Sequence, residues 1–262
     1  MSIKFTKFLL NSVVFEEIRN KIFCEKTIKF EKIKNEIIKL KKMEKVNKNL
    51  NENIIKCLQD ISEMNLLRTN IEQYRAEKFD PTKNTHLELL SSVWENFIDD
   101  SDETFILDRK WKRLGFQRND PTTDFRGMGL LGVRNLAFFV KKYPSLAKFA
   151  LESSYDTESR SFYPFAATGF NITSFALDLL NNHTLDPHFY INGIQFIQFN
   201  EIYSKLFVEF NSIWIKENPK TILEFQKIYD KFKKKIQNDL NSKNSLDLLS
   251  KKKEISKTKK NQ

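Results

Sequence analysis

The stretch Gly115–Gly129, GFQRNDPTTDFRGMG, holds three of the six glycines in the 262-residue chain and sets Arg126 directly before Gly127. An arginine is always protonated and offers a planar fork of N–H donors that matches phosphate or carboxylate oxygens. Glycine lets the backbone turn sharply or pass close to another surface. Phe116 and Phe125 are placed to anchor the stretch in a core. A loop built this way suits the presentation of one guanidinium to a phosphate. Asp124, two residues earlier, allows a second reading, in which Arg126 closes a local ion pair.

Other chemistry is sparse. There are three histidines, His86, His183 and His188, and none has a partner at metal-ligand spacing. No nucleophile elbow, zinc-protease helix or phosphate-binding Gly-x-x-x-x-Gly-Lys motif occurs, and Gly127-Met128-Gly129 lacks the lysine and hydroxyl that such a motif needs. The two cysteines, Cys24 and Cys57, lie in apolar helical patterns without a C-x-x-C, which points to packed, reduced thiols. No metal and no cofactor is expected.

The elements that must carry the loop read as helices. Residues 12–45 place Val14, Ile18, Ile22, Ile33, Ile37 and Leu40 at helical steps, with lysines on the other face. The Asn-rich patch 47–53 reads as a break, followed by a helix from about Ile54 to Tyr74. Asp80-Pro81 initiates a turn, Asn84 or Thr85 can cap a third helix, and Leu87, Leu90, Trp94 and Phe97 are in phase along it. After the ambiguous TFILDRKWKRL and the loop, helix resumes at Gly132 or Val133 and runs to Lys142, and Pro144 starts another. Residues 168–180 are apolar all round, as in a buried helix. LDPHFYINGIQF reads as irregular or extended. Two long helices come next, near 197–216 and 219–241, with Asn218-Pro219 as the start signal of the second. The expectation is an all-α protein of about eight helices.

The formal net charge of +10 sits at the ends: residues 1–80 and 251–262 each carry +5, against +2 for 81–150 and −2 for 151–250. A nucleic-acid binder usually carries its positive charge on the folded domain, so no nucleic acid is expected. The basic ends fit a solvated tail, or weak attraction to anionic lipid. The N-terminal apolar run FLLNSVVF is short for a signal peptide, and the longest uncharged run, 161–177, contains Pro164, Gly169 and Asn171, so it does not read as a spanning helix. The expected location is cytoplasmic, with peripheral membrane contact through the basic ends.

The pattern Trp111-x-x-x-Gly115-Phe116-Gln117, Asp120-Pro121-x-Thr123-Asp124-Phe125-Arg126-Gly127-Met128-Gly129, Leu131-Gly132 and Asn135-Leu136-x-Phe138-Phe139 resembles the signature of the ELMO domain. The segments DPTKNTHLELLSSVWENF and YPFAATGFNITSFALDLL extend the resemblance over roughly residues 75–182. Phe138 stands where the family commonly has Tyr, and Val133 where Leu is common. The resemblance implies an all-α domain, placed over 79–242; periodicity and composition put a helical extension over 1–78 before it and a disordered basic tail over 243–262 after it. Its short members are GTPase-activating proteins for Arf and Arf-like GTPases; its long members are adaptors for Dock-type exchange factors, with armadillo-like and pleckstrin-homology parts for which this chain has no room. The short type is therefore expected: a regulator rather than an enzyme, with a small GTPase of the Arf or Arf-like group as partner. The arginine of the D-F-R-G motif, here Arg126, would be the catalytic group. Trp111, Phe116 and Phe125 would pack the loop, and Pro121 would turn it. Gly115, Gly127 and Gly129 would shape its backbone, and Gln117, Thr123 and Asp124 would close it. A scaffold that binds a GTPase or exchange factor without catalysis is the alternative, and a lipid- or nucleic-acid-binding helical protein driven by the basic ends is the third reading.

Overall fold

A computed structural model describes residues 17–18, 21–22, 29–42, 47–98, 106–155 and 162–242. The acidic segment 99–103 and the basic tail 243–262 lie outside them. Among the described residues there are nine α-helices and no strand, so the fold is all-α as expected. These residues fall into two compact units, one drawn from residues 1–71 and 185–198, the other from 72–184 and 199–262.

In the first unit, α1 (Phe30–Leu40) turns Ile33 and Ile37 inward. They meet Ile18, Ile22, Ile54, Leu58 and Ile61 in one apolar cluster. α2 (Lys48–Ala76) starts earlier than the asparagine-rich sequence predicts. Asn47 is the reason: its Oδ1 accepts the Leu50 N–H at 2.9 Å, which caps the helix instead of breaking it. The same unit corrects the reading of LDPHFYINGIQF. Residues Asp186–Asn192 form a short helix, α7, with Pro187 in its first turn, where no N–H is needed. Asp186 stands at the positive end of this helix and is ion-paired with Arg68.

The second unit carries the loop. Here α3 (Asn84–Glu95) packs on α4 (Gly129–Lys142), and α4 packs on α5 (Pro144–Ser154) and α6 (Phe165–Asn181). α3 has no side-chain cap; Lys83 precedes it, and Asp80 instead folds back on Thr82. α6 is buried along nearly its whole length, as its sequence requires. α8 (Phe196–Glu217) presents Phe199, Tyr203, Phe207 and Phe210 at helical spacing, all fully buried. α9 (Phe225–Asn241) buries Ile228, Tyr229, Phe232 and Ile236 and keeps its lysines outside. Asn218-Pro219 does not start this helix. Asn218 adopts φ 44° and its N–H closes on the Trp214 carbonyl, so it ends α8, and a 3-10 turn over Ile222–Glu224 leads into α9. The ambiguous segment before the loop contains two further 3-10 turns, Ile106–Asp108 and Trp111–Leu114.

A polar thread fixes the register of three of these helices. Asn200 of α8 donates to Asn135 of α4 at 2.7 Å, and Asn135 donates to Thr173 of α6 at 3.2 Å. All three are buried, and a buried amide left unpaired would cost roughly 1–3 kcal/mol. Two buried tyrosines test the same bookkeeping. The Tyr163 hydroxyl lies 3.0 Å from the Ala150 carbonyl and 2.7 Å from Asn211 Oδ1, whereas the Tyr203 hydroxyl has no hydrogen-bond partner among the described residues. Burial raises the pKa of both phenols well above the ordinary value. Tyr163→Phe is expected to lower unfolding free energy by about 1–3 kcal/mol in urea titrations, and Tyr203→Phe to leave it unchanged or slightly raised. Equal losses for the two would overturn this assignment.

Candidate functional site

The loop begins where the 3-10 turn Trp111–Leu114 ends at Gly115. Trp111 is fully buried, and its indole N–H donates to the Ile106 carbonyl at 2.7 Å. Gly115 lies against the Pro164–Phe165 backbone, and its carbonyl accepts the Ala167 N–H at 3.2 Å. From Trp111 a chain of edge-to-face and tilted rings runs to Phe116 (5.0 Å between centroids), Phe170 (5.7 Å), Phe125 (5.5 Å) and Phe79 (5.5 Å). Trp94 of α3 joins the same chain at 5.3 Å from Trp111. Each such pair contributes about 0.5–1.5 kcal/mol beyond its burial. The two phenylalanines flanking the exposed part of the loop therefore stand on one aromatic base.

The exposed part closes on itself. Asp120 Oδ1 accepts the Thr122 N–H at 2.9 Å and so caps the 3-10 turn Pro121–Thr123. Pro121 is buried, and the exposed Thr123 donates its hydroxyl to the Asp120 carbonyl at 3.1 Å. Asp124 is 4% exposed and accepts the backbone N–H of Gln117, which joins the two ends of the loop. Burial pushes the Asp124 carboxyl above the usual carboxylate range; the Gln117 N–H, then Arg126 and Arg118, pull the other way. Gln117 contributes its backbone, while its side chain is exposed.

Arg126 comes next. The Met128 N–H bonds the Phe125 carbonyl at 2.8 Å, so Phe125–Met128 is a tight turn with Arg126 and Gly127 at its centre. Both central residues have positive φ, 48° and 76°, as in a type I′ turn. Glycine and asparagine occupy such positions freely; an arginine there costs about 1–2 kcal/mol. The side chain is exposed, and Nη1 donates to Asn171 Oδ1 of α6 at 2.9 Å. The ion pair with Asp124 allowed by the sequence does not form among the described residues: Asp124 faces Gln117, and Arg126 faces a neutral amide. The guanidinium borders an open cavity of about 380 Å³ that Asn171, Asp178, Phe225, Tyr229 and Lys233 also line. The Tyr229 hydroxyl donates to the Asn171 carbonyl at 2.7 Å. Its pKa lies far above the ordinary phenol value, first through burial and then through Asp178 and Asp230, with Arg126 opposing.

Sequence reasoning missed Asn171 and Tyr229. A lone amide in the otherwise apolar run around it was the available signal for Asn171; Tyr229 carried none. Among the described residues no group of three or more His, Cys, Asp or Glu side chains could hold a metal ion, and no helix is long and apolar enough to cross a membrane.

The last glycines separate two demands. Gly129 (φ 49°) opens α4 against the Arg75 and Glu77 carbonyl oxygens, and a Cβ there would lie well inside contact distance of both. Gly127 (φ 76°) faces open space. Gly127→Ala is expected to cost about 1–2 kcal/mol, from φ alone. Gly129→Ala should cost clearly more, because backbone atoms must also move. Thermal unfolding of the two variants checks the order; a larger loss for Gly127→Ala would contradict it.

The ELMO/CED-12 family profile matches residues 69–229. Among curated relatives, ELMO domain-containing protein B of Dictyostelium discoideum is 38% identical over 184 residues, 70% of this chain and 64% of the relative. ELMO domain-containing protein 1 of Mus musculus is 32% identical over 225 residues, 79% of this chain and 69% of the relative. ELMO domain-containing protein 2 of Homo sapiens is 34% identical over 183 residues, 69% and 62% respectively. The chain thus spans just under two thirds of the first and third of these relatives. No solved structure matches it. With the profile covering more than half of its length, the whole Arg126 loop included, the chain belongs to the ELMO/CED-12 family.

Proposed function

We propose that this protein stimulates GTP hydrolysis by a small GTPase of the Arf or Arf-like group, and that Arg126 is the group it supplies. The observation that carries this reading is the state of Arg126: exposed, at the apex of a turn with positive φ, and tethered to a neutral amide instead of a carboxylate. Strained backbone at an exposed charged residue is a feature of working sites, where surrounding structure holds a conformation that local preference disfavours. The partner GTPase provides the nucleotide, Mg²⁺ and the attacking water. Arg126 exchanges Asn171 for the phosphoryl oxygens on which charge builds in the transition state. An amide holds a guanidinium less tightly than a carboxylate does, so this exchange is cheap. An arginine supplied in trans is typically worth roughly 10³–10⁵ in rate, or about 4–7 kcal/mol of barrier. The ELMO/CED-12 membership supports the class of partner, and the geometry supports the chemistry.

Single-turnover GTP hydrolysis across a panel of Arf and Arf-like GTPases tests it. Wild type is expected to accelerate at least one, and Arg126→Ala to remove roughly 10²-fold or more of that acceleration. Arg126→Lys should fail nearly as badly, since an ammonium cannot reproduce the planar fork. Equal acceleration by wild type and Arg126→Ala would sink the role of Arg126. Tight GTPase binding with no acceleration would select a scaffold instead.

A further inference from the structure

The turn that holds Arg126 is pinned from behind by the chain between α2 and α3. The Leu130 N–H, at the start of α4, donates to the Glu77 carbonyl at 2.9 Å. Gly129 is pressed on the Arg75 and Glu77 carbonyls, and Arg75 Nη1 lies 3.4 Å from the Gly127 carbonyl. On the near side of Arg126, Phe125 packs on Phe79. Residues 75–79 therefore touch the Arg126 turn on both sides. Their own position depends on one buried side chain. His86, 4% exposed in the first turn of α3, accepts the Asp80 backbone N–H at Nδ1 (2.9 Å). With Nδ1 as acceptor the ring proton is on Nε2, which faces Glu77 Oε1 at 3.3 Å. The Phe79 ring lies 5.5 Å from the imidazole. One ring thus fixes Glu77, Phe79 and Asp80 together. Lys83 Nζ, 3.0 Å from Glu77 Oε1, completes the cluster; it and, less strongly, His86 hold the Glu77 carboxyl below its usual range.

We propose that His86 is a positioning residue for Arg126: it latches residues 77–80 to α3, and through Phe79–Phe125 and Glu77–Leu130 that segment keeps Arg126 at positive φ with its guanidinium presented outward. The consequence for hydrolysis rests on the function proposed above; the consequence for the turn does not.

The test uses the full chain and compares His86→Ala with His86→Asn, whose Oδ1 can replace Nδ1 as acceptor for Asp80. Hydrogen–deuterium exchange of the protein alone reads the turn directly. In His86→Ala, the amides of Met128 and Leu130, which donate to the Phe125 and Glu77 carbonyls, should exchange about tenfold faster or more, with those inside α6 and α8 unchanged. His86→Asn should return them to within about threefold of wild type. With a responsive GTPase, His86→Ala should lower the saturating stimulated rate about tenfold or more, with the half-saturating concentration within about threefold of wild type, and His86→Asn should restore the rate. Unchanged exchange at Met128 and Leu130 would overturn the proposal, as would acceleration spread evenly through α6 and α8, the mark of a global stability role. If wild type stimulates no GTPase, the functional reading fails and exchange alone decides the latch. Should His86→Ala not fold, His86→Gln, which places no acceptor at the Nδ1 position, takes its place. Faster exchange in Gln than in Asn supports the latch, and equal exchange overturns it.

Discussion

An L-residue with a full side chain at positive φ stays there only if its neighbours leave it no alternative, and Arg126 is such a residue. The character of the loop comes from how that residue is held. The strain of about 1–2 kcal/mol is small beside the stabilisation its neighbours supply. Fully burying a phenylalanine is worth about 1.5–3 kcal/mol, and Phe125, adjacent in the chain, is nearly buried. The hydrogen bond across the turn and the bond from Leu130 to Glu77 close the other side. Relaxing Arg126 to negative φ would mean withdrawing Phe125 from its rings or lifting α4 from the carbonyls beneath it. The guanidinium is exposed and held by one amide, while its backbone is fixed at the root.

The root is fixed through aromatic contact more than through charge. The rings from Trp94 and Trp111 through Phe116 and Phe170 to Phe125 and Phe79 link α3, the 3-10 turn, the loop and α6 in one packed series. Close-packed side chains transmit displacement with little loss. This leaves polar groups to set direction: Asp124 closes the loop, Asn171 receives the arginine, and the Asn200–Asn135–Thr173 thread keeps α6 in register beneath it. Had Asp124 paired with Arg126, the guanidinium would have been folded back into the loop and neutralised. Tied instead to the Gln117 backbone, the carboxylate supports the loop and leaves the arginine facing outward.

Much of this was legible in the residues, for identifiable reasons. Apolar spacing marked α3, because burial on one face leaves a periodic trace, and an all-round apolar run marked α6, which is buried along nearly its whole length. Phe116 and Phe125 stood out as anchors because large aromatics beside polar loop residues have few other uses, and the family resemblance added Trp111. The failures share a cause too. LDPHFYINGIQF read as irregular or extended, yet Pro187 in the first turn and Gly193 after the last residue suit the ends of a short helix. Asn47 and Asn218 were each assigned the opposite task, since an asparagine serves equally well to start, end or interrupt a helix. The positive φ of Arg126 left no trace beyond Gly127, because no local preference demands it. Asn171 is 45 residues from Arg126, and only the fold brings them together. His86 looked unpartnered as a metal ligand, while its real partners, Glu77 and Asp80, lie just ahead of it in the chain.

The central claim is that Arg126 is held for transfer from Asn171 to a phosphoryl group on another protein. A structure of this chain bound to a responsive Arf-type GTPase loaded with GDP and aluminium fluoride measures that transfer directly. The account predicts the Arg126 guanidinium within hydrogen-bond distance of the fluoroaluminate, Asn171 released, and the Phe125–Met128 turn unchanged. A complex in which Arg126 remains on Asn171, away from the nucleotide, would contradict it.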